Sequence, residues 1–239
     1  MVICIISLIL FFVFIKKEQY RNLAVFQAHF VELFIYCITA IAAVIAFFQT
    51  RELDYNQNSN VALDNILLMS AQTGLCIFTM FSIIGAQFDS QSHNTRLVLI
   101  NATACLIQST LQSVFILDAS KRKAKTADQM RRKPGREMVT FLLVCNFSMW
   151  AINTLETRRA DSKPVQLQFF GYVKYKTIQI RINFKSFFFF SFFQKKKSFW
   201  AWTIISHVTM PLTIFYRFHS TVCLCEVWKS TYKIKSEFI

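Results

Sequence analysis

Three ionisable side chains, His207, Arg217 and His219, lie inside one long apolar stretch from Trp200 to Trp228. As a helix that rises about 1.5 Å per residue, this stretch is long enough to cross a hydrocarbon core of about 30 Å. An Arg at that depth costs about 2.5 to 3.5 kcal/mol on insertion scales, and such groups as a rule face a bundle interior or a water-filled path. We therefore expect this helix to carry function.

Polar side chains recur on the other apolar stretches at helical spacing. Gln108 and Gln112 are four residues apart, and Asn146, Asn153 and Glu156 fall on one stripe of a helix. Such stripes predict a bundle with a polar interior. The alternative is that each Asn or Gln only makes an interhelical hydrogen bond, worth about 0.6 kcal/mol, without a role in transport. Further polar positions of this kind are Asp64, Asn65, Gln72 and Asn101.

The elements that carry these residues are apolar blocks. The chain has 239 residues, of which 54% are hydrophobic, and the apolar residues come in blocks that indicate a membrane protein. Each block must be helical in lipid, since all are too long and too uniformly apolar for barrel strands. The sequence predicts an all-α membrane protein, a multi-pass helical bundle with five complete transmembrane helices and one truncated helix. The complete helices are expected at 32–49, 63–87, 96–117, 138–156 and 200–228, and the truncated helix, whose beginning we expect to be missing, at 2–15.

Basic residues between the blocks predict the orientation of the chain in the membrane. The loop at 118–137 contains eight basic and three acidic residues, which places it in the cytoplasm by the positive-inside rule. Alternation of the helices then puts the carboxyl terminus in the cytoplasm as well. Lys16, Lys17 and Arg21 fall on the outer side and count against this orientation.

Composition argues against several other classes of protein. The formal net charge of +14 does not indicate a nucleic-acid partner, because the Lys and Arg residues lie between the apolar blocks and form no basic face with stacking aromatic rings. The seven cysteines support neither a disulfide framework nor a zinc site, since Cys223 and Cys225 form a CxC pair rather than CxxC. The chain contains no HExxH, GxSxG or P-loop motif. We expect no enzyme activity, no cofactor and no metal.

The segment 173–199 differs from the rest of the chain. Phe187 to Phe193 is nearly a homopolymer, and three Lys residues follow it closely. Val173 and Lys174 can be encoded by GTA-AAA, which resembles a splice donor, and Phe codons that end in Gln can form a pyrimidine tract that runs into CAG. We expect this segment to be a translated intron. The alternative is an outer loop of one lineage that touches lipid headgroups with its aromatic and basic side chains.

With that segment set aside, five long runs of the chain form a recognisable pattern: YRNLAVFQAHFVELFIYC, VALDNILLMSAQTG, PGREMVTFLLVCNFSMWAINTLE, PVQLQFFG and WAWTIISHVTMPLTIFYRFHSTVCLCEVWK. Together these runs resemble the otopetrin family, and the pattern is similar to arthropod members. The resemblance covers nearly the whole chain outside 173–199. It implies a proton-selective channel gated by extracellular acid, with twelve helices in two six-helix halves, both termini in the cytoplasm, and a dimer in the plasma membrane.

The resemblance also implies a domain organisation. Residues 1–172 and 200–239 would form the carboxy-terminal six-helix half of the channel, which would begin within helix seven. The insertion at 173–199 would separate its last two helices, and the amino-terminal half would be absent. Because the fold of the family needs both halves, we expect the chain alone to be inactive. The implied partners are protons, membrane lipid and, in the full-length parent, a second copy of the protein, with no nucleic acid and no cofactor.

The resemblance turns several polar residues into candidates for a proton path. The NTLE and YRFHS runs match the family pattern as they stand. Asn153 and Glu156 would end one helix near the outer face. Apart from the resemblance, His207 is the better candidate for sensing acid, because an unperturbed imidazole has a pKa of about 6.5, although burial can shift that pKa out of range. The candidates on the last helix are His207, Tyr216, Arg217 and His219.

Each candidate also has a structural interpretation. Glu156 can be a solvated helix end, and His219 can be a hydrogen-bonded histidine of the bundle. Arg217 can snorkel to the interface or pair with Glu226. For the whole chain the alternative is a multi-pass structural or assembly protein, in which the polar stripes only hold helices together.

Overall fold

The computed structural model is a bundle of long helices, with a short helix and two short strands at one end. The residues that it describes are 20–55, 62–88, 93–157 and 198–231, with positions 6, 9, 10, 13 and 14; side chains at some helix ends, including 155–157 and 198–207, are not described. In chain order the elements are α1 (Arg21–Thr50), β1 (Asp54–Tyr55), α2 (Ala62–Phe88), α3 (His93–Ala119), β2 (Arg122–Lys123), α4 (Ala127–Arg132), α5 (Arg136–Thr157) and α6 (Ser198–Thr231).

The five long helices match the five complete helices predicted from the sequence, which confirms the all-α membrane fold. The largest difference is α1, which begins at Arg21 rather than at residue 32. Its first turns mix polar with apolar residues, so a search for an apolar block misses them. Three helices of the described chain, α1, α2 and α3, are long and apolar enough to cross a membrane. The described parts of α5 and α6 do not reach that hydropathy.

Two predicted segments lie largely outside the described residues. They are the truncated helix at 2–15, apart from five single positions, and the insertion at 173–199, apart from the two residues that begin α6. Neither prediction is therefore tested by the structure.

The two strands, which the sequence did not predict, join the loops that follow α1 and α3. They pair in antiparallel fashion, with Asp54 opposite Lys123 and Tyr55 opposite Arg122. The backbone N–H of Ala124 donates to the carbonyl of Thr231 over 3.1 Å, which brings the end of α6 to the same place. The carboxyl ends of α1, α3 and α6 therefore lie at one end of the bundle, which we call the strand end.

Arg122 holds this end together. Its Nε and Nη2 donate to the carboxylate of Asp118 over 2.6 and 3.0 Å, and its Nη1 donates to the carbonyl of Leu53 over 3.1 Å. The hydrogen bond to the Asp118 carboxylate raises the pKa of the Arg122 guanidinium above its ordinary value. The loop after α3 is thereby tied to the loop after α1.

Helices α3 and α6 form the centre of the bundle. Helix α3 packs against α1, α2 and α6, and α6 also packs against α2 and α5. The approach of α2 to α6 requires a glycine, because a Cβ at Gly74 would lie 2.5 Å from the Cβ of Leu212. Small residues at such crossings let membrane helices come close together. The polar stripes of α3, α5 and α6 consequently meet inside the bundle.

Candidate functional site

Arg217 lies at the centre of the bundle and is fully buried, with 0% of its surface exposed. Its Nη1 donates to Gln108 Oε1 over 2.8 Å and is 3.5 Å from Asn146 Oδ1, while its Nη2 is 3.5 Å from the Cys105 sulfur. The rings of Tyr36 and Tyr216 lie 5.4 and 5.5 Å from the guanidinium carbon, within the range of cation–π attraction. Five neighbours from four helices thus surround one cation.

The surroundings of Arg217 exclude the two structural interpretations offered above. The side chain does not snorkel, since it is buried between helices instead of reaching an interface. It does not pair with Glu226, and among the described residues no carboxylate forms an ion pair with it. Only neutral groups solvate this charge in the described structure, and its Nε donor has no hydrogen-bond partner there.

A network of side-chain amides extends from Arg217 across α3 and α5. Gln108 Nε2 donates to Gln112 Oε1 over 2.7 Å, and Gln112 and Asn146 exchange two hydrogen bonds of 2.9 Å. All three side chains are buried. The polar stripes predicted from spacing alone therefore face one another inside the bundle, as a polar interior requires. We call these three residues the amide network.

A second network surrounds the hydroxyl of Tyr216. It donates to the carbonyl of Ser109 over 2.8 Å and lies 2.9 Å from Ser113 Oγ, which in turn lies 3.2 Å from Gln72 Oε1. Tyr216 and Ser109 are fully buried, and the other two are nearly so. The network links α6, α3 and α2 next to Arg217.

Two cavities open on either side of these networks. The first, of about 120 Å³, lies away from the strand end and is lined by His29, Glu32, Asn101, Asn153 and Arg217 among others. We call it the distal cavity. The second, of about 270 Å³, lies at the strand end and is lined by Asp64, Ser120, Cys223, Glu226 and Lys229 among others. We call it the strand-end cavity.

The structure brings four of the six predicted site residues to this region. Tyr216 and Arg217 lie at the centre, and Asn153 lines the distal cavity. His219 is buried farther along α6, where its Nε2 donates to the carbonyl of Asp64 over 3.1 Å and its ring stacks on Phe215. That bond supports the interpretation of His219 as a hydrogen-bonded histidine of the bundle. The side chains of Glu156 and His207 lie outside the described residues.

The sequence-based search for site residues missed the groups of α1 that line the distal cavity. His29 precedes the apolar block that was assigned to this helix, and Glu32 is the first residue of that block. Their spacing of three residues on one helix was the available signal. Gln108, Gln112 and Asn146 were recognised as polar stripes, but nothing in the sequence indicated that Arg217 contacts two of them.

Comparison with known proteins gives consistent matches along the chain. Residues 1–192 match the family model described as Otopetrin. Over 239 residues, which is all of this chain and 13% of the relative, the sequence is 45% identical to Proton channel OtopLc of Drosophila melanogaster. It is 22% identical to Proton channel OTOP2 of Homo sapiens over 80% of this chain and 39% of that protein. The chain thus spans well under two thirds of the length of these relatives, whose names describe channels and not enzymes.

Proposed function

The chain belongs to the otopetrin family, and on this basis we propose that, within the full-length parent, it forms part of a channel that conducts protons across the plasma membrane. The observation that supports this most strongly is the fully buried guanidinium of Arg217. An Arg at the centre of a membrane helix costs about 2.5 to 3.5 kcal/mol, and such residues mark ion pathways. A water-filled path bordered by the guanidinium accounts for that cost.

The two cavities and the networks between them have the composition that a proton path needs. Protons move along water and hydrogen-bonding side chains, and pore selectivity depends on the groups that line the pore. The distal cavity reaches Arg217, and Arg217 contacts the amide network. Toward the other end, His219 contacts the backbone of Asp64, which lines the strand-end cavity. Polar groups therefore accompany α6 from one cavity to the other.

The strand end is the cytoplasmic end in this proposal. It contains the loop that joins α3 to α5, with its eight basic residues, and such loops are retained in the cytoplasm. The distal cavity then opens toward the extracellular side, where acid arrives. Large apolar side chains on the outer faces of the helices, such as Phe48, Ile66 and Ile107, contact membrane lipid.

We further propose that the chain acts as the carboxy-terminal six-helix half of a dimeric channel. Its 39% coverage of the human relative is compatible with one half of a two-part protein. The insertion at 173–199 would lie between α5 and α6, which pack against each other, and would disturb that contact. For both reasons the chain alone is expected to carry no proton current.

A structural or assembly protein is the second candidate, and one observation favours it. Gln108, Gln112 and Asn146 are buried and hydrogen bond to one another, so their side chains have partners without any permeating species. In that case the networks only hold α3, α5 and α6 together. Substitution inside the network would then lower stability and leave any current unchanged.

The deciding experiment records acid-evoked inward current from cells that express the full-length parent or its variants. Arg217→Gln and His207→Gln each reduce the current at equal surface expression if the last helix borders the path. Arg131→Gln, which changes an exposed arginine of α4, is the matched control and leaves the current unchanged. Normal current in both variants of the last helix would favour the structural candidate. A robust current from residues 1–239 alone would overturn the expectation that the chain is inactive by itself.

A further inference from the structure

The wall of the distal cavity contains one described carboxylate, Glu32, which contacts the side chains of His29 and Asn101. The Nδ1 of His29 lies 3.4 Å from Glu32 Oε2, and Asn101 Nδ2 donates a hydrogen bond to the same oxygen. The side chains of His29 and Glu32 are 30% and 17% exposed, so the cluster is accessible from the cavity but largely screened from bulk solvent. None of these three residues belongs to the predicted proton path.

The fold explains why these residues meet. His29 and Glu32 are three residues apart on α1 and therefore lie on one face of that helix. Asn101 is on α3, which packs along α1. A carboxylate only accepts hydrogen bonds, so the amide nitrogen of Asn101 must face Glu32. The amide oxygen of Asn101 is consequently turned away from the carboxylate.

Two buried polar atoms beside the distal cavity have no hydrogen-bond partner in the described structure. Asn101 is 7% exposed, and its Oδ1 has no hydrogen-bond partner in the described structure. The same holds for Nε of Arg217, which lines the same cavity. Buried polar atoms are nearly always satisfied, by water where protein groups are missing. The adjacent cavity of about 120 Å³ is large enough to hold several water molecules beside these polar side chains.

We propose that Glu32 is the group that takes up protons from water in the distal cavity, and that Asn101 is the positioning residue that holds its carboxylate. This inference rests on the proposed function. The other titratable or charged groups that face this region in the described structure are His29 and Tyr36 of α1, Cys105 of α3 and Arg217 of α6. The polar side chains that α2 and α5 contribute to the lining are neutral, namely Thr79, Ser82 and Asn153. Glu32 is the acidic group of the lining. A proton on Glu32 would pass by way of cavity water toward Arg217 and the amide network.

The first arm of the test does not depend on conduction. Infrared difference spectra are recorded on the intact chain in lipid nanodiscs as the buffer changes from mildly alkaline to mildly acidic. We expect a protonated-carboxyl band that Glu32→Gln removes. Asn101→Leu takes a hydrogen-bond donor away from the carboxylate, so the band should appear about one pH unit higher, a roughly tenfold change in proton affinity. Glu52→Gln, in an exposed loop at the strand end, should leave this component unchanged.

The second arm measures proton current in the full-length parent. Glu32→Gln should lower the current about tenfold or more, and Glu32→Asp should restore part of it, while Glu52→Gln conducts like the wild type. Helix content by circular dichroism identifies any variant that fails to fold.

The outcomes separate the two claims. Identical infrared spectra for folded wild type and Glu32→Gln overturn the inference. The inference is also overturned if the Glu32→Gln parent carries the same proton current as the wild-type parent, with the same pH at half-maximal current. The proposed function stands in that case. A wild-type parent without proton current instead refutes the proposed function, and the infrared result alone then decides whether Glu32 takes up the proton.

Discussion

Replacing Arg217 with Met separates a conducting role from a structural one, because the two roles predict opposite changes. The substitution removes a buried charge and its 2.8 Å hydrogen bond to Gln108, while it keeps much of the side-chain volume. A hydrogen bond to a charged group contributes about 1.5 to 3 kcal/mol. Removal of the charge also removes its desolvation cost, which for a buried ion is on the order of several kcal/mol. The two effects are of similar size, so stability should change little.

Conduction should respond far more strongly. Arg217 is one of the residues that line the distal cavity, and a Met side chain would make that part of the wall apolar. Apolar constrictions lose water and block permeation. If the lost interaction of about 1.5 to 3 kcal/mol appears in the barrier, the current falls between about tenfold and a hundredfold.

The assay pairs two measurements on the same variant of the full-length parent. Acid-evoked current is normalised to surface expression, and the thermal melting of purified protein is followed in detergent. Arg131→Met is the control for the loss of an arginine at an exposed position. A variant that conducts normally but melts at a much lower temperature would show that Arg217 serves only to hold the bundle together, against the conducting role proposed for it.

Three further predictions concern the packing, the strand end and the segment between α5 and α6. Gly74→Val should destabilise the bundle by about 1 to 3 kcal/mol, measured by thermal melting, because even its Cβ would meet Leu212; an unchanged melting temperature would contradict the close approach of α2 and α6. Asp118→Asn should cost at most about 1 kcal/mol, since the pair is partly exposed. Because Asp118 raises the pKa of Arg122, the pair stabilises the fold fully at any pH below the pKa that Arg122 has in the unfolded chain. This stabilisation is lost only as the pH rises through the higher pKa of Arg122 in the folded chain. A contribution of the pair that falls between neutral and mildly alkaline pH would contradict this prediction. Amplification of the transcript across codons 165–205 should yield a mature product without the insertion, and a single product that encodes all of it would end the intron hypothesis.

Much of the fold could be predicted because the signal is local. Uniform apolar blocks locate α2, α3, α5 and α6 to within a few residues, since a membrane allows little besides helices. The start of α1 could not be located in this way. Its first ten or so residues extend beyond the apolar block, and hydropathy does not record a helix that continues past it.

The site could be predicted only where one helix carries the information. Helical spacing places Gln108 and Gln112 on one stripe, and the structure confirms that both are buried. Contacts between helices could not be predicted in this way. The hydrogen bond of Asn101 to Glu32 joins residues 69 positions apart, and that of Arg217 to Gln108 joins residues 109 apart. Such pairs depend on how the helices pack, which a single sequence does not state.

The most direct test of the account is the reversal potential of the acid-evoked current, measured at several pH gradients in the full-length parent. A pH unit corresponds to about 1.36 kcal/mol and a membrane potential of 100 mV to about 2.3 kcal/mol per charge, so a proton-selective path shifts the potential by about 59 mV per pH unit. We expect this slope for the wild type, with a current that Arg217→Met strongly reduces. A reversal potential that follows sodium or potassium instead of protons, or a proton current that Arg217→Met leaves intact, would contradict it.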